Sequence, residues 1–140
     1  MRETANFFAY GTLMCDEIMA EVSGVCPRPV PAILSGFRRL RVKAQLYPAV
    51  VPNTDYRVDG IVYQNVPPSA WDRLDRFEGD MYSREIVQVQ LRWGSAVPAA
   101  TYVLRPQFRG YLDEAEWDFD VFLREGKGRF RSSYKGYLAL

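Results

Sequence analysis

The 140-residue sequence predicts an α+β fold, a small closed or partly closed barrel of about six mostly antiparallel strands with helices packed outside. Three observations support this prediction. Short apolar runs typical of strands recur along the chain. Ten glycines and nine prolines separate these runs. Few stretches have helical spacing, and no repeat or linker divides the chain, so we expect a single domain over residues 1–140.

Five strands can be placed from apolar runs and from the alternation of apolar and polar residues. They are Asn6–Tyr10, Ala32–Lys43, Val58–Val66, Ile86–Trp93 and Ala96–Leu104. Gly36 predicts a bend or bulge in the second strand. Gly94 predicts a turn that joins the fourth strand to an antiparallel fifth strand. Residues 49–51 lie between Pro48 and Pro52, and we predict that they are irregular.

Three helices are predicted from helical spacing, and each ends near a glycine. They are Asp16–Val22, Ser69–Glu78 and about Asp113–Arg124. The glycines are Gly24, Gly79 and Gly126. Ser69 is a candidate N-cap, with Asp72 three positions later in the manner of a capping box.

The absence of histidine from the sequence excludes Ser-His-Asp and Cys-His catalysis and imidazole-ligated metals. Acid–base chemistry near neutral pH must therefore come from a carboxylate, tyrosine, lysine or cysteine with a shifted pKa. Two cysteines, Cys15 and Cys26, are too few for a four-sulfur zinc site. We expect both to be buried thiols, although a bridge between them stays open.

The charge balance gives no general attraction to nucleic acid or to anionic membranes, because eighteen Lys and Arg oppose seventeen Asp and Glu. Four basic residues do share one strand, namely Arg38, Arg39, Arg41 and Lys43. We predict that the last three form a solvated face, and nucleic-acid binding by this strand is the less favoured alternative. No apolar stretch approaches the roughly 20 residues that span a bilayer. We expect a cytoplasmic monomer or weak homodimer.

The helix that ends at Glu78 carries the most informative local pattern. At about 100° per residue, Glu78 falls about 340° from Trp71, inside the arc that Trp71 and Leu74 turn inward. Burial and the negative end of the helix dipole both raise the pKa of such a carboxylate. Glu78 is therefore a candidate acid–base residue; the alternative is a structural glutamate that returns to solvent or pairs with Arg84. Asp75 is a weaker candidate, whose structural alternative is a bond to a backbone amide.

A second candidate feature is the turn Tyr10-Gly11-Thr12-Leu13, which follows the first strand. Glycine allows the backbone to approach a ligand closely, and successive N–H groups in such a turn can bind an anion. The spacing is not that of a phosphate-binding loop, so this motif alone indicates only a turn.

Three blocks of the sequence together resemble the gamma-glutamylcyclotransferase-like family, in particular its avirulence-induced-gene branch. They are residues 8–13 (FAYGTL), residues 47–49 (YPA) and residues 74–79 (LDRFEG), the last followed by Tyr82 and Arg84. The resemblance covers the chain from Phe7 to about Phe122. It implies a six-stranded Greek-key barrel with a pocket between the first turn and the glutamate.

The resemblance also implies a reaction, the conversion of a gamma-glutamyl amide into 5-oxoproline and a free amine. In this family the substrate's own α-amine attacks, so no metal or cofactor is expected. The implied catalytic residue is Glu78, with Asp75 and Arg84 in supporting roles. The implied substrate-binding residues are Tyr10, Gly11, Thr12, Leu13, Tyr47 and Tyr82. The alternative for the same fold is a non-catalytic binder of small amino-acid-like ligands.

Overall fold

The computed structural model describes residues 5–92 and 94–138, and it is an α+β fold built on a closed barrel. The strands are β1 Ala5–Ala9, β2 Pro29–Val42, β3 Pro48–Val66, β4 Tyr82–Leu91, β5 Ala96–Leu104 and β6 Leu112–Glu116. The α-helices are α1 Asp16–Ser23, α2 Pro68–Glu78, α3 Phe119–Val121, α4 Lys127–Ser133 and α5 Lys135–Leu138. Short 3-10 helices cover Thr12–Met14 and Pro106–Tyr111, and a π-helical turn covers Phe122–Gly126.

Five of the strands close the barrel in the order β3-β1-β5-β4-β2, because β2 also pairs with β3. The sixth strand, β6, adds to the second half of β2 and lies outside the closed ring. All pairings are antiparallel except that between β1 and β5. The predicted fold class is therefore confirmed, with five strands in the barrel and one beside it.

The long β2–β3 hairpin differs from the prediction in one place. Residues 49–51 were expected to be irregular, but they are buried and pair with residues 38–40 of β2. The strand accommodates Pro52 because this residue lies where the ladder is interrupted, opposite the bulge between Ser35 and Phe37. The bulge predicted at Gly36 is confirmed, and Gly36 has a φ of 83°.

The predicted helix over Asp113–Arg124 is wrong in its first part, which is strand β6, whereas its second part, from Phe119, is helical. Arg38 pairs with Glu114 at 3.5 Å and with Glu116 at 3.6 Å, and Arg41 pairs with Asp113 at 3.2 Å. The acidic residues of β6 thus face the basic residues of β2, and these cross-strand pairs favour the extended form over the helix.

Helix α2 begins one residue earlier than predicted. Pro67 is its N-cap and Pro68 its first residue, so the expected N-cap role of Ser69 is wrong. Proline suits this position because its φ is already helical and its missing N–H is not needed there. The glycine ends predicted for the first two helices are confirmed, since Gly24 and Gly79 follow α1 and α2 with φ values of 79° and 82°. The end predicted at Gly126 is wrong, because α4 continues directly from it at Lys127.

Two clusters of buried apolar side chains form the core. One draws on the barrel strands and on Tyr10 directly after β1, which places it inside the barrel. The other joins one face of the strands to the helices, with Ile18, Met19, Leu74 and Phe77 among its members. The functional features predicted from the sequence lie where this second cluster meets the end of β1.

Both cysteines are free thiols, but only one is buried as predicted: Cys15 is buried and Cys26 is exposed. Cys26 lies in the connection between α1 and β2, where no element covers it. Among the described residues, no helix has the length and hydropathy needed to cross a membrane.

Candidate active site

A cleft with about 380 Å³ of open space, its mouth included, lies between the end of β1 and the end of α2. It is lined by all seven residues that the sequence predicted to bind substrate or to act as acid and base. These are Tyr10, Gly11, Thr12, Leu13, Tyr47, Glu78 and Tyr82. Eight further residues complete the wall: Phe7, Phe8, Ala9, Pro48, Phe77, Tyr102, Phe130 and Tyr134. The wall is therefore largely aromatic, and among the described residues that line it Glu78 is the only one with a carboxyl, amino or guanidinium group.

Glu78 is half-buried, and its carboxyl group faces this aromatic wall. Burial, followed by the negative charge of Asp75, raises the pKa of Glu78 to about 8. Within residues 5–92 and 94–138, no side chain or backbone group donates a hydrogen bond to the carboxyl, and no cation pairs with it. Its proton affinity is therefore high, and both oxygens are available to a bound molecule.

The turn opposite Glu78 depends on a close approach between two backbone segments. A Cβ on Gly11 would lie 3.0 Å from the ring carbons of Pro48, so a larger residue there would push the two apart. Gly11 itself has a φ of −129°. Glycine is therefore needed at this position because of the small space beside Pro48, and not because of a left-handed backbone conformation. The 3-10 helix begins directly afterwards at Thr12, and the N–H groups of its first residues have no partner within that turn.

Two side chains behind this turn hold its carbonyl groups. The guanidinium of Arg39 donates to the carbonyl oxygen of Tyr10 at 2.9 Å and to that of Asp59 at 3.2 Å. The hydroxyl of Tyr63 donates to the carbonyl oxygen of Leu13 at 2.7 Å. The prediction that Arg39 lies on a solvated face is therefore wrong, because its side chain folds back onto the barrel end, whereas Arg41 and Lys43 are exposed.

Two tyrosines of the cleft, Tyr10 and Tyr82, are fixed by hydrogen bonds to backbone carbonyl groups. The hydroxyl of Tyr10 donates to the carbonyl oxygen of Tyr102 at 2.6 Å, and that of Tyr82 to the carbonyl oxygen of Pro48 at 2.8 Å. Burial is the first cause that raises the pKa of Tyr10, Tyr47, Tyr82 and Tyr102, with the charge of Glu78 adding to it. These phenols stay protonated near neutral pH, so Glu78 is the lining group that can exchange a proton there.

Asp75 and Arg84 lie beside the cleft and do not line it. Arg84 pairs with Asp75 at 3.2 Å and lies over the ring of Trp71, 4.9 Å from its centroid. The alternative pairing of Arg84 with Glu78 is therefore wrong. Asp75 also accepts a hydrogen bond from the hydroxyl of Tyr102 at 2.7 Å, and so it bonds side chains and not the neighbouring amide considered from the sequence.

The part of the chain that the structure describes contains no cluster of three or more cysteine and acidic residues that could hold a metal ion.

Comparison with known proteins identifies the family. Residues 7–119, which include the turn, Tyr47 and Glu78, match the family described as "Gamma-glutamyl cyclotransferase, AIG2-like". The chain belongs to this family. Among curated proteins it is similar to AIG2-like protein C of Arabidopsis thaliana, with 32% identity over 138 residues, covering 95% of this chain and 77% of that protein.

The fold is also similar to that of solved structures. An Arabidopsis thaliana protein determined in solution is 28% identical, with a TM-score of 0.74, covering 96% of this chain and 90% of the other. A structure described as a gamma-glutamyl cyclotransferase has a TM-score of 0.65 at 20% identity, covering 74% of this chain and 68% of the other, and so shows a shared fold.

Sequence reasoning missed part of the AIG2-like cleft, namely Tyr102 and the rings of Phe130 and Tyr134. Tyr102 lies in an apolar strand where nothing distinguishes it from a core residue. Phe130 and Tyr134 follow the family match of residues 7–119, in a basic and aromatic stretch. The one available signal was that this stretch is too aromatic to be a solvated tail.

Proposed function

We propose that this AIG2-like protein is an enzyme that cyclises a gamma-glutamyl amide to 5-oxoproline and releases the amine. The observation that carries the proposal is a single carboxyl group, Glu78, with a pKa of about 8 and no partner among the described residues, facing a glycine-containing turn across an aromatic cleft. The family and the fold support the same class of reaction.

The first step is the binding of the glutamyl group in a folded form. Near pH 7 the raised pKa keeps Glu78 mostly protonated, so it does not repel the substrate's α-carboxylate. That carboxylate would accept hydrogen bonds from the N–H groups that begin the turn at Gly11, Thr12 and Leu13. The aromatic wall holds the glutamyl chain bent, which brings its amine within reach of its own γ-carbonyl.

The second step is the transfer of protons during ring closure. The substrate's ammonium group, placed beside Glu78, lowers the pKa of Glu78, so that Glu78 releases its proton to solvent and its carboxylate takes a proton from the ammonium. The free amine nitrogen bonds to the γ-carbon, and the bond from the γ-carbon to the leaving nitrogen breaks as Glu78 gives its proton to that nitrogen. Glu78 then takes the second proton from the ring nitrogen, so the products are 5-oxoproline and a neutral amine, and Glu78 ends the cycle protonated, as it began.

The test is to measure the release of 5-oxoproline from a panel of gamma-glutamyl compounds. The panel contains gamma-glutamyl amino acids, gamma-glutamyl-lysine, gamma-glutamylamines and glutathione. We expect 5-oxoproline and amine in equal amounts from at least one compound, and a loss of roughly 100-fold or more in Glu78→Gln. The exposed Glu85 in β4 offers a matched control, because Glu85→Gln makes the same change outside the cleft. Tight binding of a panel member without 5-oxoproline would instead favour the non-catalytic binder.

A further inference from the structure

A second and larger cleft adjoins the one that contains Glu78. Its open space is about 980 Å³, its mouth included, and its wall shares three residues with the first cleft, Tyr47, Phe130 and Tyr134. The three rings contact one another, with centroid separations of 5.2 Å between Tyr47 and Tyr134 and 4.6 Å between Phe130 and Tyr134. They form the border between an inner cleft around Glu78 and an outer cleft.

The border is contributed largely by segment 127–138, which comprises α4 and α5 and lies outside the family match. The segment is held against α2 where Glu78 is located. The hydroxyl of Tyr134 donates to the carbonyl oxygens of Phe77 and Glu78, at 2.9 Å and 3.3 Å. A Cβ on Gly136 would overlap the Phe77 carbonyl oxygen and the Tyr134 ring, so only glycine allows this approach. The segment is therefore a fixed wall of the site.

Segment 127–138 is also anchored to α1, through residues spread along its length. Lys127 pairs with Glu17 at 3.2 Å, Arg131 pairs with Glu21, and the hydroxyl of Tyr137 donates to Glu21 at 3.2 Å. Lys135 differs from these residues, because it lines the outer cleft and forms no ion pair within residues 5–92 and 94–138.

The outer cleft combines apolar surface with one positive charge. Its apolar residues are Leu46, Tyr47, Met81, Phe130 and Tyr134. Gln45, Ser133 and Lys135 supply its polar groups, and no carboxylate is among the lining residues that the structure describes. Such a wall favours a ligand that is apolar and carries a negative charge. It offers no partner to an ammonium group on the amine half of the substrate, beyond the α-ammonium of the glutamyl half.

We propose that segment 127–138 forms the subsite for the amine half of the substrate, and that this subsite selects gamma-glutamyl dipeptides whose second residue is large, apolar and carries a free α-carboxylate. The proposal rests on the proposed cyclisation, since the leaving nitrogen must lie within hydrogen-bond reach of Glu78. The glutamyl half then occupies the inner cleft, the apolar side chain lies on the border rings, and Lys135 binds the carboxylate.

The test compares three compounds that share the glutamyl half. Gamma-glutamyl-phenylalanine has both recognised features, gamma-glutamyl-alanine lacks the large side chain, and gamma-glutamyl-phenethylamine lacks the carboxylate. We expect the kcat/KM of the first to exceed that of the second about tenfold, because a ring is buried. We expect it to exceed that of the third about fivefold, which is the effect of one partly exposed ion pair.

The variant Lys135→Gln separates the two features. It should abolish the preference for the carboxylate while the preference for the ring remains. Arg57→Gln, at an exposed position of β3, is the control for the change in net charge and should keep both preferences. Equal rates for the three compounds, or a carboxylate preference that survives Lys135→Gln, would overturn the subsite.

The outcome can be separated from that of the proposed function. If neither these three compounds nor the panel yields 5-oxoproline, the cyclisation proposal fails. The dissociation constants of the three compounds, measured on Glu78→Gln protein, then decide the subsite. The subsite is supported if gamma-glutamyl-phenylalanine binds more tightly than the other two compounds, and if adding Lys135→Gln abolishes only its advantage over gamma-glutamyl-phenethylamine. Equal affinities, or no binding of any compound, would overturn it.

Discussion

Asp75 and Glu78 lie one turn apart on α2, yet only the Asp75 carboxylate has hydrogen-bond and ion-pair partners within the described part of the chain. Asp75 is exposed and is bonded by Arg84 at 3.2 Å and by the Tyr102 hydroxyl at 2.7 Å. Glu78 is half-buried, and the negative charge of Asp75 is the second cause, after burial, of its raised pKa. The two similar groups therefore have different surroundings: Asp75 is bonded to its neighbours, and Glu78 is poised to exchange protons.

The first prediction concerns the pH dependence of catalysis. Glu78 must lose its proton between the free enzyme and the transition state in order to act as the general base, so kcat/KM should rise with pH up to the pKa of Glu78, near 8. Asp75→Asn removes a negative charge that disfavours the ionised form of Glu78. The acidic limb of the kcat/KM profile should therefore move to lower pH, as measured with a single substrate under constant ionic strength.

Removing Arg84, the ion-pair partner of Asp75, should shift the kcat/KM profile in the opposite direction. Arg84→Gln removes the cation that offsets the charge of Asp75, so the acidic limb should move to higher pH. Opposite shifts distinguish an electrostatic role from a loss of structure, which would lower activity without moving the limb. Shifts of the same sign in both variants would contradict the role assigned to Asp75.

The second prediction links Glu78 to stability. Its pKa in the folded state, about 8, lies above the value near 4.5 of an unperturbed glutamate. The folded protein therefore binds more protons than the unfolded chain between these values, and its free energy of unfolding falls as pH rises through this window. Glu78→Gln removes the group, so above pH 8 the variant should be more stable than the wild type by about 2 kcal/mol, a value reduced because Glu78 is half-exposed.

Urea denaturation at about pH 5, 7 and 9 checks this prediction. The two proteins should differ little at the lowest pH and most at the highest. Glu85→Gln, at an exposed position, should follow the wild type within about 0.5 kcal/mol throughout. A constant difference between Glu78→Gln and wild type across the range would mean that Glu78 has an ordinary pKa in the folded state.

The third prediction tests the close approach at the turn. Gly11→Ala places a methyl group 3.0 Å from the Pro48 ring, which is itself buried at the start of β3. The turn and the ring must separate, at a cost of about 1–2 kcal/mol, and the N–H groups of the turn move with it. We expect kcat/KM to fall by more than tenfold, since small displacements of positioning groups have large effects on rate.

Gly110→Ala is the control, because a Cβ at Gly110 meets no atom within 4 Å and its φ is not positive. It should change stability by less than about 0.5 kcal/mol and leave the kinetics alone. If Gly11→Ala loses stability but keeps full activity, the turn does not hold the substrate.

The inner cleft could be predicted from the sequence to the extent that local patterns define it. Glu78 follows from the 100° periodicity of α2, and the turn follows from Gly11 after an apolar strand. Tyr102 could not be found in this way, because its contact with Asp75 depends on the register between β4 and β5, which sets it opposite Arg84. A register is a tertiary property that no local window contains.

The error over β6 has the same origin. Residues 112–116 have no strand-like alternation of their own, and they are extended because β2 presents Arg38 and Arg41 to Glu114, Glu116 and Asp113. The basic strand and the acidic segment are each uninformative alone. Their pairing also accounts for a basic run that the sequence left as solvated surface.

The last prediction concerns Arg39, whose role is to position the turn. Its guanidinium joins the carbonyl oxygens of Tyr10 and Asp59 and lies 5.5 Å from the ring centroid of Trp117, while burial lowers its pKa. Arg39→Met leaves these carbonyls without their donor and should cost about 1–3 kcal/mol. Because the Tyr10 carbonyl begins the turn, KM for the gamma-glutamyl substrate should rise more than kcat falls.

Arg41 provides the control on the same face of β2. Its partner is the surface residue Asp113 at 3.2 Å, so Arg41→Met should cost less than about 1 kcal/mol and leave KM unchanged. Arg39→Lys should restore part of the stability, because an ammonium can donate to one carbonyl and lie near Trp117, but it cannot span both carbonyls as a guanidinium does. If Arg39→Met and Arg41→Met behave alike in denaturation and in kinetics, Arg39 is an ordinary surface cation and the turn is held by Tyr63 and Pro48 alone.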